Sequence, residues 1–323
     1  FLEKYLSLYM IGPINIMILC NNELALPAMQ QLYMKGNLKA VVVPEENTSL
    51  FTLLNQILSG TGVILLQVNK QNLQIKLQTL ITEKNITTAW MMTFAFIIPN
   101  SVLKILQNKF LNFHYGILPK YRGPNPILAQ MLHGESESGI SVHVVDKKID
   151  NGPMVMQERI AIDDRDTFGI QLKKLSFLGA SMALRLLEMF TVDSPLPSVK
   201  QDQTKAFYFK NPLASDLMIN WNTMSRWRVI RLIKAYKPWN KGAGTYINNM
   251  GICLTDAEIC DDAVTERILP GTIVTLDKLN GLTVYCFDQK LIKINVINLD
   301  EGFFAASRLL EFGLKPKDRF LSP

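Results

Sequence analysis

INIMILC (Ile14–Cys20), LKAVVV (Leu38–Val43), GVILLQV (Gly62–Val68), ITTAWMM (Ile86–Met92) and KFLNFH (Lys109–His114) are five short apolar runs. Amphipathic stretches stand between them: ELALPAMQQLYM, SLFTLLNQIL, LQIKLQTLITEK and SVLKILQ. Near-continuous apolar runs predict strands buried on both faces, and a helix after each predicts a mostly parallel sheet in an α/β, Rossmann-like layout. In open sheets of this kind ligands bind beyond the carboxyl ends of the strands. Asn21-Asn22-Glu23 follows the first run, so the Gly-x-Gly-x-x-Gly turn of dinucleotide sites is absent. The layout must serve another ligand.

Downstream, ISVHVVD (Ile140–Asp146) reads as a strand, Asp150-Asn151-Gly152 as a turn, PMVMQERIAI as an extended stretch and residues 168–190 as a long helix. A polar, proline-bearing segment, TVDSPLPSVKQDQTKAFYFKNPLASD, has the composition of a linker. It puts the domain boundary within residues 192–210, dividing the chain into 10–205 and 206–323. The second part holds one helix, about Ser225 to Ala235, then GTYIN, GICLTDAEI, GTIVTLD, GLTVYCF and KLIKINVINL. Short strands punctuated by Gly and Asn-Asn predict a small closed β-barrel of oligonucleotide-binding (OB) type.

Composition agrees with two folded domains. The chain has 323 residues, 48% hydrophobic and 19% charged, which is globular and far from disorder. Cys20, Cys253, Cys260 and Cys286 are widely spaced without companion histidines, so neither a zinc site nor a disulfide framework is expected. No run of eighteen apolar residues occurs, and FLEKYLSLYMIGPINIMILC lacks the basic start and small-residue cleavage site of a leader. A cytoplasmic protein with reduced thiols, and no membrane partner, is the expectation. The net charge of +6 suits an anionic partner such as a nucleotide, a folate tail or RNA, yet no basic block appears.

The three histidines, His114, His133 and His143, fall within thirty residues of one another. His133 sits at a helix end, and His143 lies on a strand facing away from Ile140, Val142 and Val144; both read as structural. His114 has different company. Asn112 and His114 are two apart on a strand, so both side chains point to one side at its carboxyl end. GILPKYRGPNPI, with Pro119, Gly123, Pro124 and Pro126, then makes a stiff loop over that end. A polar pair under a rigid loop reads as a site.

NFHYGILPKYRGPNPI followed by GISVHVVDKKIDNGPMV resembles the signature of the formyltransferase family: Asn-x-His, a Leu-Pro-x-x-x-Gly loop and an Asp-x-Gly turn. Asn112, His114, Leu118-Pro119 with Gly123, and Asp150 with Gly152 fill those places, while Gly116 stands where many relatives carry Ser. The resemblance implies an N-formyltransferase that uses 10-formyl-tetrahydrofolate and no metal, with Asn112, His114 and Asp150 catalytic. Such residue types suit the chemistry. Attack of an amine on the formyl carbon makes a tetrahedral oxyanion that needs donors, expected from Asn112 and His114, and a proton acceptor, expected from Asp150. WMMTFAFIIPNSVL resembles the wall of the pterin pocket. It implies folate contacts at Met92, Phe94, Phe96, Ile97 and Ile98, with Leu118, Pro119, Asp146 and Gly152. A buried strand and its following turn have the same composition.

LIKAYKPWNKGAGTYI, LPGTIVTLD and GLKPKDRF resemble the C-terminal barrel carried by methionyl-tRNA formyltransferases and some sugar-nucleotide formyltransferases. Trp239 beside Lys237 and Lys241 is either a stacking surface or a barrel-closing ring. The resemblance leaves two acceptors open. Initiator-tRNA enzymes carry a basic insert after the second strand, whereas this chain has VVVPEENTSLFTLL, acidic at Glu45 and Glu46. A small-molecule amine, such as an amino sugar on a nucleotide, is therefore favoured over Met-tRNA. The purine-pathway transformylase would not explain the barrel. A formyl-tetrahydrofolate hydrolase usually carries a regulatory domain before the first strand, which begins here near Ile14. A non-catalytic RNA- or protein-binding module would need the barrel but not the aligned Asn, His and Asp.

Overall fold

The structure, a computed structural model, describes residues 12–191, 195–237, 241–262 and 267–323. Trp239 lies outside the described residues, as do residues 10 and 11 of the expected first domain. Among the described residues no helix is long and apolar enough to cross a membrane.

The five apolar runs become β1 (Ile16–Cys20), β2 (Leu38–Pro44), β3 (Ile64–Val68), β4 (Thr88–Met92) and β5 (Phe110–His114). Between them lie α1 (Leu26–Met34), α2 (Thr48–Leu58), α3 (Leu73–Glu83) and α4 (Asn100–Leu106). β6 (Glu137–Val144) and β7 (Met154–Ala161) extend the sheet as antiparallel strands, giving the order β3-β2-β1-β4-β5-β6-β7. Central β1 pairs in parallel with both β2 and β4, and all five of its residues are buried. Such a strand must be apolar on both faces, which is why it reads as a continuous run. On one face Met17, Leu19, Ala40 and Val42 pack against Leu73, Leu77, Leu80 and Ile81 of α3 and Val102 and Leu103 of α4. Each of the larger side chains contributes roughly 1.5–3 kcal/mol by leaving water.

The loops at the carboxyl ends are fixed by asparagine. Asn22 accepts from the Leu24 N–H at 3.0 Å, and Asn47 accepts from the Leu50 N–H at 3.1 Å to cap α2. Each satisfies a backbone donor that the start of a helix leaves unpaired. α5 (Pro126–His133) follows the loop after β5, and α6 (Phe168–Thr191) follows β7.

The second sheet is entirely antiparallel. It runs β10 (Ile273–Asp277), β11 (Gly281–Tyr285), β12 (Leu291–Leu299), β9 (Met250–Cys260), β8 (Ala243–Ile247), with β13 (Gly302–Ala305) also on β12. β13 was not anticipated from the sequence, because GFFA is too short to show a period. The two edges are joined through the last residues of the chain: Thr272 bridges Arg319 and Tyr246 bridges Leu321. Trp221 plugs this unit, its ring stacked on Phe320 at 5.8 Å and its indole N–H donated to the Thr245 hydroxyl at 2.9 Å. α7 (Arg226–Tyr236) packs on β9.

Two compact units result. One comprises residues up to Pro126, Glu137–Ala161 and Leu172–Phe209; the other comprises Ile127–Ser136, Ile162–Gln171 and Lys210–Pro323. The division in space is therefore not a single cut along the chain.

Candidate active site

Strand pleating puts Asn112 and His114 on one face at the carboxyl end of β5, and the antiparallel register sets His143 of β6 directly opposite Asn112. The turn between β6 and β7 then brings Asp150 across both. Its Oδ1 lies 3.4 Å from His114 Nδ1, 3.4 Å from Asn112 Nδ2 and 3.7 Å from His143 Nε2. Its Oδ2 accepts the Gly123 N–H at 3.0 Å. His114 is 5% exposed and Asp150 9%, so the pair works in a water-poor setting where electrostatics are strong.

Both nitrogens of His114 face acceptors, Nδ1 toward Asp150 and Nε2 toward the Tyr121 carbonyl oxygen at 2.5 Å. Only an imidazolium donates from both positions. Burial opposes that charge, but the carboxylate of Asp150, its hydrogen bond and the Tyr121 carbonyl together raise the His114 pKa despite Arg122. Burial likewise pushes Asp150 up; the His114 charge and hydrogen bond and the Gly123 N–H outweigh it and hold its carboxyl well below the usual carboxylate range. The two groups form a buried ion pair. One expectation changes here: the His114 N–H groups are both engaged, so His114 offers a developing oxyanion its charge rather than a vacant donor.

His143 was read as structural, and the structure gives that reading a specific content. Its Nδ1 lies 2.9 Å from the Val144 carbonyl oxygen, so Nδ1 carries the proton and Nε2 accepts from Asn112 Nδ2 at 3.1 Å. His143 orients the Asn112 amide. Gln201, inside the stretch read as a linker, is buried and donates to the carbonyls of Asp150 at 2.9 Å and Gly152 at 2.8 Å. It accepts from Arg122 Nη2 at 2.7 Å. Sequence reasoning had no signal for it, since glutamine in a polar segment is ordinary.

Asp150 itself has a φ of +52°, a left-handed conformation that Asp and Asn adopt more readily than other side chains. Gly152 is required by contact: a Cβ there would lie 1.8 Å from the Val144 carbonyl oxygen. At Gly116 a Cβ would lie 2.5 Å from Pro126 Cβ and 3.1 Å from His114 Nε2. The loop hydroxyl that many relatives place here has no room, and Ser141 of β6 braces the loop instead. Its Oγ donates to the Gly116 carbonyl at 2.7 Å and accepts from the Leu118 N–H at 3.0 Å.

The expected folate contacts divide. Met92, Phe96, Ile98 and Leu118 are buried, and Phe96 and Ile98 belong to the hydrophobic core. Strand-like alternation after β4 turns Ala95 and Ile97 outward, with Ile97 72% exposed. Phe94 is partly buried edge-on against Phe96, with ring centroids 5.4 Å apart. Pro119 is partly buried behind the cis Leu118–Pro119 peptide. Asp146 braces its own loop, accepting from the Lys148 N–H at 2.9 Å and Asn151 Nδ2 at 3.3 Å. Of the expected contacts, Phe94 and Ile97 keep exposed surface while the alternate side chains are buried.

The acidic pair after β2 also divides. Glu45 accepts from Asn69 Nδ2 at 2.6 Å and Asn72 Nδ2 at 2.8 Å and pairs with Lys76 at 3.3 Å. The hydrogen bonds from Asn72 and Asn69 lower its pKa. Lys76 offsets its charge at the surface. Only Glu46 is left to confront a ligand.

Comparison with known proteins agrees with this construction. Residues 40–186 match the family model described as formyl transferase, and residues 214–303 match the one described as formyl transferase, C-terminal domain. The chain is 30% identical over 230 residues to a methionyl-tRNA formyltransferase of Lachnospira eligens, covering 68% of this chain and 71% of that protein. It is 33% identical over 207 residues to a methionyl-tRNA formyltransferase of Staphylococcus aureus, with 64% of each chain aligned. The fold is shared with an N-formyltransferase from Helicobacter canadensis solved with folinic acid and dTDP-3-aminofucose: TM-score 0.68 at 17% identity, covering 87% of this chain and 98% of that one. The chain belongs to the formyltransferase family.

Proposed function

We propose that this protein transfers a formyl group from 10-formyl-tetrahydrofolate to a small-molecule amine, an amino sugar on a nucleotide being the favoured class, with residues 10–205 catalytic and 206–323 the barrel domain. The observation that carries the reading is the buried His114–Asp150 ion pair beside Asn112 at the carboxyl end of β5. A neutral amine attacks the formyl carbon; negative charge develops on the formyl oxygen and positive charge on the amine nitrogen. The imidazolium of His114 stabilises the oxyanion by its charge, Asn112 re-aims toward it the amide N–H that faces Asp150 at 3.4 Å while the other stays on His143, and Asp150 takes the proton from the ammonium. Because its neighbours hold the Asp150 carboxyl well below the usual range, it retains a proton poorly and passes it on to N10 of the departing folate. The donor lies along Phe94, Ile97 and the 146–150 loop. Four free thiols suit a cytoplasmic setting.

Met-tRNA is the second reading, favoured by the names of the relatives at about 30% identity. With Glu45 paired to Lys76 at the surface, the acidic stretch opposes a polyanion less than its sequence suggests. The experiment is a competition between amino-sugar nucleotides and initiator Met-tRNA for formyl transfer, read as released tetrahydrofolate. Transfer to Met-tRNA with kcat/KM on the order of 10⁴ M⁻¹s⁻¹ or above reverses the ranking of acceptors. Absence of saturable binding of a stable 10-formyl-folate analogue in calorimetry removes the donor altogether.

A further inference from the structure

β1 leads by a crossover toward β2 on one side, and its other neighbour is β4, so the sheet's topological switch lies between β1 and β4. A cavity of about 380 Å³ opens at this place, lined by Asn21, Pro44, Glu46, Asn47, Ala95 and Phe96 from the ends of β1, β2 and β4. Ligands of open α/β sheets settle at such crevices.

The lining has a definite chemistry. Asn47 is fully committed: its Oδ1 caps α2, and its Nδ2 donates to the Asn21 carbonyl at 2.8 Å and to Asn21 Oδ1 at 3.0 Å. This fixes the Asn21 amide with its oxygen toward Asn47 and leaves its Nδ2 donors for a ligand. Glu46 is exposed and has no hydrogen-bond or ion-pair partner among the described residues. The nearby cation Lys76 is engaged by Glu45 instead. No Lys or Arg lines the cavity, and its remaining surface is Pro44, Ala95 and Phe96.

A phosphate or carboxylate placed there would face an uncompensated carboxylate, whereas hydroxyl or ammonium groups would find in it a strong acceptor. We propose that this cavity is the acceptor-recognition subsite and that Glu46 selects a hydrogen-bond-donating, non-anionic head group, as the ring of an amino sugar presents. Any phosphates of the acceptor then lie outside it. The proposal rests on the formyl-transfer reading for the word acceptor, but its chemistry stands on the cavity alone.

The test uses free glucosamine and inorganic phosphate as probes on the full chain, with the side-chain amide ¹⁵N–¹H signals of Asn21 and Asn47 as the readout. Glucosamine should shift both amides of the wild type saturably at millimolar concentration, and phosphate should not. Glu46→Gln should weaken the glucosamine response by at least about tenfold, the scale of one charge-assisted hydrogen bond. Glu46→Lys should abolish it and admit phosphate. No glucosamine shift in the wild type, a response unchanged in both variants, or phosphate binding to the wild type overturns the proposal. Binding of 5-formyl-tetrahydrofolate, followed in parallel, should be equal in all three proteins. If folate fails to bind while the glucosamine response behaves as stated, the formyl-transfer reading falls and the cavity's preference stands.

Discussion

At the residue scale the proposed chemistry rests on the buried pair, and its parts are separable. Asp150→Asn keeps the shape and the left-handed backbone that Asn also tolerates, but removes the charge that raises the His114 pKa. The His114 ring should then titrate at lower pH by NMR, folate should still bind, and kcat should fall roughly 10²–10⁴-fold, the contribution of a positioned proton acceptor. Near-normal turnover in this variant would remove Asp150 from the mechanism. His143 acts through Asn112, so His143→Phe should lower kcat with little change in the KM for folate, while His143→Gln, whose amide oxygen can accept in place of Nε2, should recover part of it. Equal losses in both variants, tracked by a fall in Tm, would reduce His143 to packing.

At the element scale the loop between β5 and α5 is held by a hydroxyl from β6 rather than by one of its own. Ser141→Ala strands the Leu118 N–H and frees the Gly116 carbonyl. It should cost about 1–3 kcal/mol in urea unfolding, the penalty of leaving a buried group unpaired. Restoring the loop hydroxyl by Gly116→Ser should not compensate, because the new Cβ meets Pro126 and the edge of His114. That variant should be less stable by roughly 1–3 kcal/mol for overpacking. A Gly116→Ser protein of wild-type stability and activity would show that Pro126 yields freely.

At the scale of the whole molecule the ion pair links stability to pH. His114 has a folded pKa above its unfolded value, so its stabilisation is complete below about pH 6.5 and is lost as pH rises through the folded pKa. Asp150 has a folded pKa below its unfolded value, so its stabilisation is present above about pH 3.9 and lost as pH falls. Urea midpoints of the wild type should therefore decline from about pH 6.5 upward, and those of His114→Gln should lack that alkaline limb. Parallel curves for the two proteins would mean that His114 is not charged in the fold.

The strands, helices and layer arrangement of the first unit were legible because a doubly buried strand must be apolar throughout and a covering helix on one stripe, and both periods are local. Asn112 and His114 were legible for the same reason, since a spacing of two residues fixes a shared face. Asp150 came from the spaced motif. What the sequence could not determine depends on register between distant segments. His143 reaches Asn112 only because β6 runs antiparallel to β5 in that register, and Gln201 reaches Asp150 across fifty-one positions. Phe96 and Ile98 went into the core because the pleat, set by burial against α3 and α4, turned Ile97 outward instead. Glu45 and Glu46 are adjacent and chemically identical in sequence. Only the folded arrangement of Asn69, Asn72 and Lys76 neutralises one and leaves the other at the cavity, because a carboxylate's effective charge is set by the groups tertiary contact places around it.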